Sequence, residues 1–198
     1  EGYGLTETSQ VVSINLPWDR RPGSVGRPLT GVEVFAIDEA GRKTAPGVDG
    51  ELVIRGHCVM QSYHNQPDAT AAAMVAGGLR TGDIGRVAAD GFVYITGRAK
   101  EMLIIAGENV FPREIENVLA LHPAVAEVAV IGVKDELRGE VPVAFVILAE
   151  GGSATEIELR NFGRDRIAAY KAPREVRIAA DLPRGPTGKI LKRALRVD

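Results

Sequence analysis

RAKEMLIIAGENVFPREIENVL, residues 98–119, is the stretch at which the chain changes character. Its first three residues are polar and follow a glycine, which suits a joint between two bodies. Met102 to Ile105 is a short apolar run that reads as a strand. Pro112 stands where a helix tolerates it, in the first turn, and Ile115, Val118 and Leu119 recur at i, i+3 and i+4 on one helical face. Upstream, β-branched runs at 32–37 (VEVFAI) and 51–54 (ELVI) are bounded by Gly and Asp. In GRVAADGFVYITG, residues 85–97, Ala-Asp-Gly separates two apolar stretches as in a hairpin. One short helix is predicted over Asp68 to Val75, with Asp68 accepting from the first-turn amides. Downstream, strand-like runs at 126–133 and 142–148 flank a polar KDELRGE. Thr155 and Glu158 form a capping box for a helix reaching to about Ala169. The fold class is therefore mixed α/β: a β-rich subdomain over 1–98, then a small α+β domain over 99–198 in the order β, α, β, β, α, β, α. The boundary is expected near Arg98 to Lys100.

The composition is that of a globular chain. Of 198 residues, 45% are hydrophobic and 25% charged, and the formal net charge is −2. That balance argues against a nucleic-acid partner. No run reaches the roughly 18 apolar residues of a spanning helix, and the first residues lack the basic and apolar regions of a signal peptide. A single cysteine, Cys58, rules out an internal disulfide and suits a reducing compartment, so the cytoplasm is expected. It is read as a buried small side chain, and the scattered His57, His64 and His122 as structural. The chain does not begin with Met. It is expected to be the C-terminal piece of something longer.

Four segments stand out together. They are Tyr3-Gly4-Leu5-Thr6-Glu7; Leu79-Arg80-Thr81-Gly82-Asp83; Gly97-Arg98-Ala99-Lys100-Glu101 with Gly107-Glu108-Asn109-Val110-Phe111-Pro112; and Pro183-Arg184-Gly185-Pro186-Thr187-Gly188-Lys189. In order and spacing they resemble the later motifs of the AMP-forming adenylating enzymes: acyl-CoA synthetases, peptide-synthetase adenylation domains and firefly-type luciferases. The resemblance covers essentially the whole chain. It implies the last β-rich subdomain of the large N-terminal domain, followed by the mobile C-terminal domain. It also implies a two-step reaction, in which a carboxylate is activated with ATP to an acyl adenylate and then passed to a thiol. Joining two anions demands positive charge, a metal and fixed geometry.

The resemblance gives each residue a role. Tyr3 would lie against the adenine, Thr6 would donate to phosphate, and Glu7 would hold Mg²⁺, for which a hard carboxylate oxygen is a suitable ligand. Asp83 would accept the ribose hydroxyls, and Arg98 would complement it toward ribose or phosphate. Lys189 would be the catalytic lysine, a mobile point charge bridging carboxylate and α-phosphate on a glycine-flanked mobile loop. Its rival reading is a basic residue on a solvated helix striped by Ile190, Leu191, Ala194 and Leu195.

From Arg164 onward, ten Lys and Arg face four Asp and Glu, a local excess of six. Here the resemblance points to CoA phosphates, with Tyr170, Lys171 and Arg174 as contacts and Gly107 admitting the pantetheine arm. Lys100 occupies the hinge position. Gly-Glu-Asn-Val-Phe-Pro-Arg-Glu-Ile-Glu is similar to fatty-acid and coumarate-type CoA ligases, whereas peptide-synthetase domains usually carry Gly-Phe-Arg-Ile-Glu. An acid–CoA ligase is the leading expectation, with ATP, CoA, Mg²⁺ and a fatty or aryl carboxylic acid as partners. Two alternatives stand: an adenylation domain loading a carrier-protein thiol, and a nucleotide- or CoA-binding module without catalysis. The acyl pocket and the phosphate-gripping loop lie outside these residues, so the fragment alone is expected to be inactive. Its oligomeric state is not legible.

Overall fold

The computed structural model describes residues 1–197. The chain divides into two compact units, Glu1–Lys100 and Glu101 onward. The division falls inside the turn Ala99–Glu101.

The first unit carries two sheets. β1 (Gly2–Tyr3), β2 (Ser13–Ile14) and β3 (Arg27–Pro28) form a small antiparallel sheet. The larger one is built from β4 (Val32–Ile37), β5 (Gly50–Gly56), β6 (Met74–Val75), β7 (Gly78–Val87) and β8 (Val93–Arg98), all antiparallel. Strand alternation sends Val34 and Ala36 into one apolar cluster with Val12, Leu52, Ile54 and Val93. Phe35 and Ile37 enter a second with Val53. The turn at Ala88–Gly91 joins β7 to β8, where the sequence places Ala-Asp-Gly. Helix α1 (Pro67–Ala73) begins one residue before the predicted span. Asp68 does not cap it. Gln66 is the N-cap, and Asp68 lies inside the first turn without a side-chain capping bond, because Pro67 already occupies the opening helical position.

The second unit is one sheet with helices on a single face. β9 (Leu103–Ile105) and β10 (Glu108–Val110) form a hairpin that leads into α2 (Pro112–Leu119). β11 (Val125–Asp135) and β12 (Gly139–Leu148) pair antiparallel along most of their length. Helix α3 (Glu156–Arg164) then returns the chain to β13 (Glu175–Ile178), which runs parallel to β12. Ile115 and Leu119 of α2 and Leu159 of α3 are fully buried against Val130, Ala144 and Val146 of the sheet. Each such side chain contributes about 1.5–3 kcal/mol. The opposite face, Ala129, Val143 and Phe145, is covered by Leu182 and Leu195 of the C-terminal segment.

The capping box at α3 is present: the Thr155 N–H donates to Glu158 at 2.8 Å and the Glu158 N–H to the Thr155 hydroxyl at 3.2 Å. The helix nevertheless ends at Arg164, not near Ala169. Leu159 and Gly163 are its last buried positions, and turns carry the chain on through Ala168 to Lys171 and the buried Pro173. The expected last helix is also absent. Only a turn at Lys192–Ala194 forms, because Ile190, Leu182 and Leu195 pack down onto the sheet from an extended segment.

Candidate active site

In the first unit the chemistry begins at a tight turn after β1. Tyr3 is followed by Gly4, where a Cβ would lie 1.6 Å from the Gln10 carbonyl oxygen, so no side chain fits there. The buried Thr8 closes the turn: its hydroxyl accepts the Leu5 N–H and donates to the Leu5 carbonyl, both at 3.0 Å. Thr6 is thereby left exposed and Glu7 half-buried on one short loop. Tyr63 holds Glu7 from the other side. Its hydroxyl donates to Glu7 Oε1 at 2.9 Å, while the Glu7 carbonyl accepts the Met60 N–H at 2.8 Å. The hydrogen bond to Glu7 is the main reason the Tyr63 phenol is held above its ordinary pKa.

Asp83 is the buried charge of this unit, 4% exposed on β7. The Tyr3 hydroxyl donates to its Oδ2 at 2.7 Å, and Arg98 Nε to its Oδ1 at 3.0 Å from the paired position on β8. Burial, reinforced by the bond to Asp83, drives the Tyr3 phenol far above its ordinary value. Thr81 and Gly82 aim the carboxylate. The Asp83 N–H donates to the Thr81 hydroxyl at 3.0 Å, that hydroxyl donates to the Leu52 carbonyl at 2.8 Å, and Gly82 adopts φ +71°. Each Asp83 oxygen keeps an accepting lone pair beyond these bonds. Arg98, 62% exposed, extends outward from the pair. Sequence reasoning brings Tyr3, Asp83 and Arg98 to one site but does not foresee that the Tyr3 phenol spends its proton on Asp83. Tyr63 is missed altogether, because its partner is 56 residues away.

Among the described residues, no three His, Cys, Asp or Glu side chains gather as a metal cluster. A lone half-exposed carboxylate still fits Mg²⁺, which keeps several waters and is held through one or two carboxylates together with substrate phosphates. Among the described residues no protein donor bonds Glu7 Oε2, so one carboxylate oxygen is available for that purpose.

In the second unit Ala106 and Gly107 have φ +52° and +87° between the paired Ile105 and Glu108, a two-residue turn of the type hairpins favour. No atom lies within 4 Å of where a Gly107 Cβ would be. The turn borders a hollow of about 930 Å³ lined by Ile104, Lys134 and Arg138 among others. A groove of about 420 Å³ is lined by four arginines, Arg138, Arg160, Arg164 and Arg174, with Pro142 and Pro173. Arg174 bonds Asp135 at 2.8 Å, but no carboxylate pairs with Arg138, Arg160 or Arg164 among the described residues. Lys171 is engaged elsewhere: its ammonium reaches both Glu114 oxygens at 2.9 and 2.8 Å. Tyr170 is 39% exposed. Arg138, Arg160 and Arg164 are scattered in sequence, which is why a reading by local charge settles on Tyr170 and Lys171.

Lys189 is exposed at a closed turn rather than on a slack loop. The Gly185 N–H donates to the Lys189 carbonyl and the Gly188 N–H to the Gly185 carbonyl, each at 2.9 Å, with Gly188 at φ +78°. Arg184 braces it by donating to the Gly188 carbonyl at 3.2 Å and to Glu127 at 2.7 Å. The glycines serve turn geometry.

Two family models match the chain: that of the AMP-binding enzyme over residues 1–64, and that of the AMP-binding enzyme C-terminal domain over 114–189. The chain belongs to the AMP-binding, adenylate-forming enzymes. Among curated relatives of this AMP-binding chain, a long-chain-fatty-acid–CoA ligase of Bacillus subtilis (strain 168) is 42% identical over 197 residues, which is 98% of this chain and 35% of the relative. A fatty acid–[acyl-carrier-protein] ligase of Streptomyces coeruleorubidus is also 42% identical, over 98% of this chain and 38% of the relative. The solved O-succinylbenzoate coenzyme A synthetase of Bacillus subtilis in complex with AMP superposes with a TM-score of 0.90 at 34% identity, over 100% of this chain and 40% of that one. The chain thus spans little more than a third of the length of these relatives. Among its described residues, no helix is long and apolar enough to cross a membrane.

Proposed function

We propose that this chain is the C-terminal part of an AMP-forming acid–CoA ligase that activates a fatty or aryl carboxylic acid and passes the acyl group to CoA. The observation that carries the nucleotide half is the buried Asp83 held between Tyr3 and Arg98. An ionised carboxylate fixed in this way, with one accepting site left on each oxygen, is suited to the paired hydroxyls of a ribose. Arg98 then serves ribose or phosphate, and the Tyr3 ring flanks the base. Thr6 donates its hydroxyl to phosphate. Glu7, pinned by Tyr63, would hold Mg²⁺, which would supply Lewis-acid charge for the nucleotide phosphates.

In the first step the acid's carboxylate oxygen attacks the α-phosphorus, forming the acyl–phosphate bond while pyrophosphate leaves. The exposed Lys189 ammonium stabilises the charge that accumulates between the two anions. In the second step the CoA thiolate attacks the acyl carbonyl carbon, and AMP departs with the bonding pair. The Gly107 turn lines the path of the pantetheine arm, and rotation at Lys100 exchanges the Lys189 and Gly107 faces. The protein works in the cytoplasm.

The arginine groove favours free CoA over a carrier protein. CoA brings a phosphorylated nucleotide that Arg138, Arg160, Arg164 and Arg174 can receive, whereas a carrier-bound pantetheine arm has none. This moves the CoA contact from Lys171, which Glu114 occupies, toward Arg138, Arg160, Arg164 and Arg174, and leaves Tyr170 beside the lining residue Ala169. The test is acceptor choice in the full-length parent enzyme. Free CoA should accept the acyl group well, dephospho-CoA poorly and a holo carrier protein least. Equal use of CoA and dephospho-CoA would remove the groove from the reaction, and preference for the carrier protein would favour the activity named for the Streptomyces relative.

On this reading the acyl pocket and phosphate loop belong to the rest of the parent, and residues 1–198 by themselves should catalyse no ATP–pyrophosphate exchange. Exchange by the isolated fragment would contradict this.

A further inference from the structure

Lys192 is a half-buried charge that the reaction above does not use. Its side chain is 25% exposed, and its ammonium sits 2.7 Å from Glu101 Oε2 and 2.8 Å from Glu116 Oε1. Glu116, 17% exposed, is itself fixed, accepting the Val130 N–H at 2.8 Å through the same Oε1. Burial alone would lower the Lys192 pKa, but the carboxylates of Glu116 and Glu101 outweigh it and hold the ammonium charged.

Three elements meet at this one group. Glu101 is the first residue after Lys100, Glu116 belongs to α2, and Lys192 stands three residues beyond Lys189. The segment carrying Lys189 is otherwise attached by Leu182, Ile190 and Leu195 on the sheet and, at its outer end, by the exposed Arg184–Glu127 pair. Apolar contacts of that kind are non-directional and leave a segment able to slide along the face. Charge-assisted hydrogen bonds at 2.7–2.8 Å fix its position as well as its attachment.

We propose that Lys192 is a positioning residue: through Glu101 and Glu116 it locks the Lys189 turn to the start of the second unit, so that motion at Lys100 delivers Lys189 without slack. The functional side rests on the reading of Lys189 as the adenylation lysine, but the mechanical side does not. Two readouts separate them. Hydrogen exchange on the chain itself should show residues 183–191 exchanging faster in Lys192→Met than in the unchanged chain, with protection of β11 and β12 preserved and Lys192→Arg restoring the turn. In the full-length parent, Lys192→Met should slow acyl-adenylate formation roughly 10- to 100-fold, the scale of an ångström-sized misplacement. Thioester formation from supplied acyl adenylate should stay within about twofold, and adding Lys192→Met to Lys189→Ala should cost little more, as expected of residues acting as one unit.

Unchanged exchange at 183–191 overturns the lock. Loss of protection throughout the unit, or equal slowing of both half-reactions, makes Lys192 a general stabilising pair and overturns the positioning role. If exchange responds as expected while Lys189→Ala alone leaves adenylation intact, the lock stands and the reading of Lys189 falls.

Discussion

At the residue scale, the most constrained group is the Tyr3 phenol on Asp83. Tyr3→Phe removes one donor from a buried carboxylate, a loss of about 1.5–3 kcal/mol for a bond to a charged group, measurable by urea unfolding. The same bond gives a pH signature. The folded-state pKa of Tyr3 is raised, by burial first and by Asp83 next, so the stability it contributes is complete below the unfolded value near 10 and declines as pH rises above it. Unfolding free energy should therefore fall between about pH 10 and 12 in the unchanged chain and fall less in Tyr3→Phe. Equal slopes would detach Tyr3 from that loss. In the parent enzyme, Asp83→Asn should raise the KM for ATP roughly tenfold to a hundredfold with a smaller change in kcat, the equivalent of about 1.5–3 kcal/mol of charge-assisted bonding.

Glycines are the clearest case of what a sequence can and cannot say at this scale. Gly4 and Gly107 look alike in the motifs, yet Gly4 is fixed by crowding and Gly107 by φ alone. Gly107→Asn should accordingly be near neutral for stability, since Asn tolerates that turn, while Gly107→Ala costs about 1–2 kcal/mol. Gly4→Ala should leave the first unit unfolded at room temperature by circular dichroism.

At the element scale, α2 and α3 hold the second unit because their apolar faces meet the sheet. Leu119→Ala should destabilise it by about 2–5 kcal/mol in thermal or urea unfolding. These helices were legible from the spacing of Ile115 and Leu119 and from the Thr155–Glu158 box, since both signals are local. The tail after Ile190 was not. Its apolar spacing suits a helix, but the exposed face of the sheet captures Leu182 and Leu195 in an extended path, a tertiary preference that periodicity does not register. The arginine groove was hidden for a related reason, because Arg138 ends a hairpin turn while Arg160 and Arg164 project from α3. Arg160→Ala with Arg164→Ala in the parent should raise the KM for CoA about tenfold or more while leaving ATP–pyrophosphate exchange unchanged.

At the scale of the whole molecule, the chain is two units joined at the turn Ala99–Glu101. On the proposed function, Asp83, Tyr3 and Glu7 would serve a nucleotide in the first, and Lys189 and the arginine groove would serve successive steps in the second. If rotation at Lys100 links the steps, Lys100→Pro should slow thioester formation far more than adenylation, and equal slowing of both would reject the hinge. The most direct measurement of the account is mass spectrometry of the products formed by the full-length parent from Mg-ATP, free CoA and a panel of fatty and aryl acids, beside Lys189→Ala. The account predicts acyl-CoA and AMP from the parent and loss of acyl-adenylate formation in the variant. Acyl-AMP without acyl-CoA, or undiminished adenylate in Lys189→Ala, would contradict it.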